Sequence, residues 1–131
     1  SRRNKIITWG LKILAAVIML QTLFFKFSAA EESVYIFSTL GLEPWGRIGT
    51  GIMELIASIL ILIPRTTAYG AFLALGIMGG AILSHVFILG IPVMGDGGQL
   101  FIYALLVFVS AAILLYIYRS QLKRFIPARF A

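Results

Sequence analysis

From Thr67 to Leu89 the chain reads TAYGAFLALGIMGGAILSHVFIL, a run without a single Asp, Glu, Lys or Arg. A helix needs about 20 apolar residues to cross the hydrocarbon core of a bilayer, and this run is longer. Pro64-Arg65 bounds it on one side and Gly90-Ile91-Pro92 on the other, both of them helix stops. Working outward, three more apolar stretches have the same character, which places spans at about 6–26, 47–63, 67–89 and 99–118. The second is short for a span and borrows a turn from Trp45-Gly46-Arg47. Of 131 residues 60% are hydrophobic and 12% charged, with a mean hydropathy of +1.00. An ordinary soluble domain has roughly 45–50% apolar and 25% charged residues. One soluble core of this length cannot hide so much apolar surface, so the remainder faces lipid. The chain reads as one all-α transmembrane domain over 1–131, an integral membrane four-helix bundle.

Charge sets its orientation. Arg2, Arg3, Lys5, Arg65, Arg119, Lys123, Arg124 and Arg129 gather on one side, with Lys12 able to snorkel toward it. The other side receives Lys26 and Arg47 together with Glu31, Glu32, Glu43 and Asp96. The positive-inside rule then puts both termini in the cytoplasm, and an even number of spans requires the termini to share a side. The setting expected is a bacterial inner membrane. Between the first two spans, Tyr35, Ile36 and Leu40 recur at helical spacing behind Glu31 and Glu32. That predicts a short amphipathic helix in the first outer loop, apolar side down. Trp9, Trp45, Tyr116 and Tyr118 fall where an interfacial aromatic belt would place them. Ser28-Ala29-Ala30 imitates a leader cleavage site, but the apolar run before it exceeds a leader core, which favours a retained helix. The net charge of +6 therefore reports topology and a tail that anchors on anionic lipid, not a nucleic-acid partner.

Ionisable groups inside a membrane are costly and mark either function or a pair that satisfies itself. Lys26, Glu54, His85 and Gln99 share one depth, in the outer half of the bundle. Arg47, Gly51, Glu54 and Ser58 form one stripe down the second helix; Gln99, Tyr103, Leu106 and Ser110 repeat it on the fourth. On the third, Gly76, Gly80 and Ser84 make a small-residue ridge suited to close helix packing. These positions predict an outward-opening polar pocket lined by Lys26, Glu54, His85 and Gln99, with Arg47 at its interface. The plainer alternative is that Lys26 and Glu54 only neutralise each other and His85 only bonds locally. One His and five carboxylates do not make a dedicated haem or zinc site, and the absence of Cys removes thiolate ligands. Gly95-Asp96-Gly97-Gly98 lacks the strand and Lys of a phosphate loop and reads as a tight turn, with Asp96 capping the fourth helix. No catalytic constellation stands out, so any enzymatic role is left open and no intrinsic cofactor is expected.

At this point the residues resemble the DoxX-like family of small membrane proteins. Arg47-Ile48-Gly49-Thr50-Gly51-Ile52-Met53-Glu54-Leu55 is similar to its second-helix signature, and Pro64-Arg65-Thr66 to its turn into the third helix. Gly79-Gly80-Ala81 followed by His85 resembles the third-helix signature, and Gly95-Asp96-Gly97-Gly98 with Leu100-Phe101 the start of the fourth. Lys26 stands where the family carries a Lys, while Leu23 replaces the usual Gly three residues earlier. The resemblance implies a four-helix membrane bundle. Its relatives are described as a quinone-reducing membrane subunit of a thiosulfate oxidoreductase, as parts of membrane oxidoreductase complexes and as receptor-assembly chaperones in animals, so fold alone selects no chemistry.

Two function classes follow. In the first, the outer pocket binds a quinone or similar lipophilic molecule and serves a membrane redox complex, with electrons supplied by a partner. In the second, the chain is a non-catalytic accessory or assembly subunit whose polar cluster holds helices together. A small transporter is a weaker third, since four helices without an internal repeat give little support for alternating access. Homo-oligomerisation could supply further helices.

Overall fold

The computed structural model describes residues 2–92 and 95–125. Among them lie five α-helices: α1 (Arg2–Phe27), α2 (Glu31–Thr39), α3 (Trp45–Leu62), α4 (Thr67–Ser84) and α5 (Gln99–Ile117). A π-helical turn, His85–Leu89, continues α4, and 3-10 turns occupy Pro64–Thr66 and Arg119–Phe125. Arg129 and the rest of the basic tail from residue 126 lie outside the described residues. Four helices are long and apolar enough to cross a membrane: α1, α3, α4 with its π turn, and α5. α1 starts at Arg2, earlier than expected, because Arg, Asn and Lys ahead of the apolar run contain no helix breaker. α3 takes in the extra turn from Trp45, as expected.

Helix ends follow from local chemistry. The ring of Pro64 disfavours helical backbone in the residue before it, and Ile63 is extended at φ −87, ψ 119, which ends α3. The carbonyls thereby orphaned are taken up by hydroxyls. Thr66 Oγ1 donates to the Leu60 carbonyl at 2.8 Å and Thr67 Oγ1 to that of Ile61 at 3.0 Å. At the start of α4, the Ala68 amide donates to Gln121 Oε1 at 2.9 Å. Gln121 in turn donates to the Pro64 carbonyl at 2.6 Å, so the turn after α5 clips the α3–α4 corner.

The four long helices form a ring in chain order, α1 against α3, α3 against α4, α4 against α5, with α5 closing back on α1. Alanines dominate the centre: Ala15, Ala57, Ala71, Ala74 and Ala111 are fully buried beside Met19, Ile61, Val107 and Leu114. Small side chains let helix backbones approach where lipid offers no hydrophobic drive for association. The closest approach is at Gly70, where a Cβ would lie 2.6 Å from the Ile61 amide nitrogen and 2.7 Å from the Ala57 oxygen. Large apolar side chains such as Ile13, Val17, Ile59, Phe72, Ile102 and Val109 point outward all round the ring, as a lipid-facing surface requires.

Two expectations need revision. Lys12 does not snorkel to the surface; it is 1% exposed, with its ammonium 4.3 Å from the Trp9 ring centre and 4.7 Å from that of Tyr118. The rings replace the water that the cation loses and tie α1 to α5. In α2 the buried positions are Ser33 and Phe37, while Tyr35 is exposed. The helix is rolled so that Ile36 and Leu40, but not Tyr35, look into the bundle.

Candidate functional site

The stripe on α3 faces inward along its whole length, since Arg47, Gly51, Glu54 and Ser58 are all buried. Gly51 decides how α1 meets it. A Cβ there would lie 2.7 Å from Phe27 Cε1, so the glycine lets the Phe27 ring rest directly against α3, and a larger residue would push the ring aside. That contact brings the last turn of α1 alongside Glu54. Lys26 Nζ then stands 2.7 Å from Glu54 Oε1, with Glu54 only 1% exposed. Thr22, one turn before Lys26 on the same face of α1, places Oγ1 2.6 Å from Oε2. Both carboxylate oxygens are therefore held, one by a cation and one by a hydroxyl.

Arg47 sits apart from this pair. Its Nε donates to Glu43 at 2.8 Å, and its Nη1 donates to the Lys26 carbonyl at the C-terminus of α1, where a positive charge suits the helix dipole. It braces the α1–α3 corner and is not among the groups lining the cavity.

From the opposite wall comes His85, the first residue of the π turn and 4% exposed. The turn ends at Gly90, whose positive φ of 81° directs its carbonyl back so that His85 Nδ1 lies 3.0 Å from the oxygen. A carbonyl can only accept, so Nδ1 carries the proton and Nε2 is the free ring position. Among the described residues Nε2 has no hydrogen-bond partner. Phe101 holds the imidazole edge to face at 5.6 Å. At the head of α5, Gln99 Nε2 donates to Tyr103 Oη at 2.9 Å. Asp96 accepts the Gly98 amide at 2.8 Å and the Leu100 amide at 3.2 Å, the capping role expected of it.

These groups surround a cavity of about 910 Å³ at the end of the bundle covered by α2. Lys26, Glu54, His85 and Gln99 all line it, so four of the five candidate residues meet in one place. Tyr103, on the same sequence stripe as Gln99, and Glu31 and Glu32 of the outer loop also line it, as does Thr22, which did not stand out in the sequence. A Thr inside an apolar run has no periodic partner to expose it; its spacing of four from Lys26 was the available signal. Ile18, Met78 and Ala104 form an apolar floor, and Ile36, Phe37 and Leu40 of α2 an apolar cover.

The small-residue ridge behaves unlike a packing ridge. Cβ atoms added at Gly76 or Gly80 would meet nothing within 4 Å, and both residues are exposed and line the cavity. Ser84 turns its hydroxyl back to the Gly80 carbonyl at 2.8 Å. Among the described residues no helix covers Gly76 or Gly80; α4 does its close packing at Gly70 instead.

A sequence profile described as the DoxX-like family matches residues 10–114, a stretch that includes every residue of this cluster. No curated protein and no solved structure matches the chain.

Proposed function

This chain belongs to the DoxX-like family, and on that premise we propose that its cavity binds a quinone or a similar lipophilic carbonyl compound in the service of a membrane redox complex. The observation that carries the reading is the cavity itself. Its volume of about 910 Å³ falls within the roughly 300–1,000 Å³ of small-molecule sites, and it combines apolar floor and cover with few convergent polar groups. Lys26 and Tyr103 are donors suited to a carbonyl oxygen. His85 can serve two forms of one ligand. Neutral, with its proton on Nδ1, it offers Nε2 to accept from a quinol hydroxyl; protonated, it donates from Nε2 to a quinone carbonyl. Reduction of a quinone takes two electrons and two protons. In this proposal the electrons come from a partner subunit, while His85 and the Lys26–Glu54 pair hold the ring and manage protons. In this proposal both termini face the cytoplasm, the side the positive-inside rule favours, and the cavity lies in the outer leaflet of a bacterial inner membrane.

The test is native mass spectrometry of protein extracted gently from its own membrane, as wild type, Glu54→Gln and His85→Ala. A stoichiometric lipophilic ligand that is lost in the variants, while helical content is kept, supports the reading. Ligand retained in both variants sinks it. A second reading is favoured by the bare surface over Gly76 and Gly80. As an accessory subunit the protein would dock a partner's helix there, and Gly80→Trp would release larger subunits from the extracted complex. Retention of those subunits argues against that role.

A further inference from the structure

The wall of the cavity between α3 and α4 is incomplete, and its gap lies at the depth of the lipid tails. At Gly70 the two backbones touch, with a Cβ excluded by the Ile61 amide nitrogen at 2.6 Å. Toward the α2 end the cavity opens onto the flank of α4, where Gly76 and Gly80 are exposed and line it. Two turns along α4, Gly76 has nothing within 4 Å of where its Cβ would be, and neither has Gly80 beyond it. On α3, Met53 is 44% exposed and lines the same cavity. Gly76 and Gly80 lie well inside the span Pro64–Leu89, so what they are exposed to is bilayer interior rather than water. The cavity thus has polar groups on two sides, buried Glu54 on α3 and the imidazole of His85 at the end of α4, and an apolar opening into hydrocarbon.

We infer that the gap between α3 and α4 is a lateral portal for an amphiphile with a long apolar chain. The polar ring lies against Glu54, His85 and Gln99, and the tail leaves between Met53 and the Gly76–Gly80 stretch into the lipid. The inference rests on the proposed function for the identity of the head group and adds the tail, its route and the direction of access. The chemistry of the opening selects the occupant. Two glycines on one face of α4 leave a channel floored by backbone, flanked by the apolar side chains of Met53, Leu73 and Ile77, while the Ser84 hydroxyl is satisfied by the Gly80 carbonyl. A hydrocarbon tail fits such a channel without stranding a polar group. A free metabolite arriving from water would have no reason to require an opening at this depth. The missing side chains also have an energetic meaning, because glycine inside a helix is less favourable than Ala when nothing packs on it. Among the described residues no packing contact at the Cβ position of Gly76 or Gly80 compensates.

The experiment compares two probes on the purified full chain in lipid nanodiscs: a benzoquinone with a long isoprenoid tail, and the same ring carrying only methyl groups. Each is titrated against wild type and against Gly76→Leu, Gly80→Leu and the double variant. Filling the gap should weaken the tailed probe about tenfold or more, as an overpacked contact does, while the tail-less ring binds as in wild type. Because leucine enters open space at both positions, circular dichroism of the variants should match wild type, and Gly80→Ala serves as a milder version. Equal binding of the tailed probe to wild type and double variant overturns the portal and leaves the cavity as a ring site reached some other way. Equal loss of both probes overturns it too, since a block that ignores the tail is not at a tail channel. If neither probe binds wild type, both the portal and the quinone reading fall.

Discussion

Gly70→Ala and Gly76→Ala add the same methyl group to the same helix, and they should move stability in opposite directions. At Gly70 the new Cβ would lie 2.6 Å from the Ile61 nitrogen, 2.7 Å from the Ala57 oxygen and 2.8 Å from Ile61 Cγ1. The first two are backbone atoms of α3, so no side-chain rotation relieves them and the helices must separate. Overpacking a closed contact costs about 1–3 kcal/mol, and a backbone obstacle argues for the upper half of that range. Better helix propensity returns about 1 kcal/mol, leaving a net loss of about 1–2 kcal/mol. At Gly76 no heavy atom lies within 4 Å. Only the propensity term survives there, a gain of about 0.5–1 kcal/mol. The assay is unfolding of the purified protein in mild detergent by increasing sodium dodecyl sulfate, followed by circular dichroism. Gly70→Ala should unfold at lower and Gly76→Ala at higher dodecyl sulfate fraction than wild type. A Gly70→Ala protein as resistant as wild type would refute the backbone approach of α3 and α4. Equal damage at the two positions would mean that something packs on the bare ridge after all.

Three further outcomes are open to the same assay. Lys26→Met should cost about 3 kcal/mol, because it strands a carboxylate that is 1% exposed, whereas Glu54→Leu should cost less, since Lys26 is already 15% exposed and its stem can carry the charge outward; the reverse order would mean that Glu54 is not a buried ion held by Lys26. Tyr118→Leu should lose about 1–2 kcal/mol by taking one ring from Lys12, and adding Lys12→Met should recover most of it, because the buried cation then no longer needs a partner; simple additivity of the two changes would contradict the aromatic sandwich. Gln121→Ala should cost about 1–2 kcal/mol for its two side-chain hydrogen bonds, and the Ala68 amide should exchange with deuterium markedly faster; an unchanged exchange rate there would remove Gln121 from its capping role.

Much of this arrangement is written in spacing. The four spans are legible because lipid demands long apolar runs, and the α3 stripe because a 3.6-residue period sends Glu54 and Ser58 to one side. Polar residues at a common depth on different helices then have to meet, which is why Lys26, Glu54, His85 and Gln99 share a cavity. Periodicity assigns residues to a face without saying what the face looks at. Gly76, Gly80 and Ser84 form a regular ridge that borders empty space, while the single Gly70, with no periodic partner, carries the tightest helix contact. Lys12 likewise reads as an interfacial cation until Tyr118, more than a hundred residues away in sequence, is brought over it by closure of the ring. The π turn at His85 has no signature in the residue types, yet it is what returns the Gly90 carbonyl to the imidazole. α2 is short and amphipathic on two sides, so its roll is set by what it covers.

The fastenings of this bundle are unevenly shared between its ends. The Gly70 contact, the threonine hydroxyls at the α3–α4 corner, the Gln121 clip and the ring-bound Lys12 all lie toward the termini. At the far end the polar ties described run between neighbouring α1 and α3, from Lys26 and Thr22 to Glu54 and from Arg47 to the Lys26 carbonyl, and do not span the cavity. An object pinned at one end and lightly tied at the other is compliant in a definite way, like a clothes peg whose jaws move while its spring stays put. Small tilts about the pinned end become larger displacements at the cavity mouth, with no helix needing to unwind. A molecule seated there would join the jaws and raise the stiffness of the whole frame.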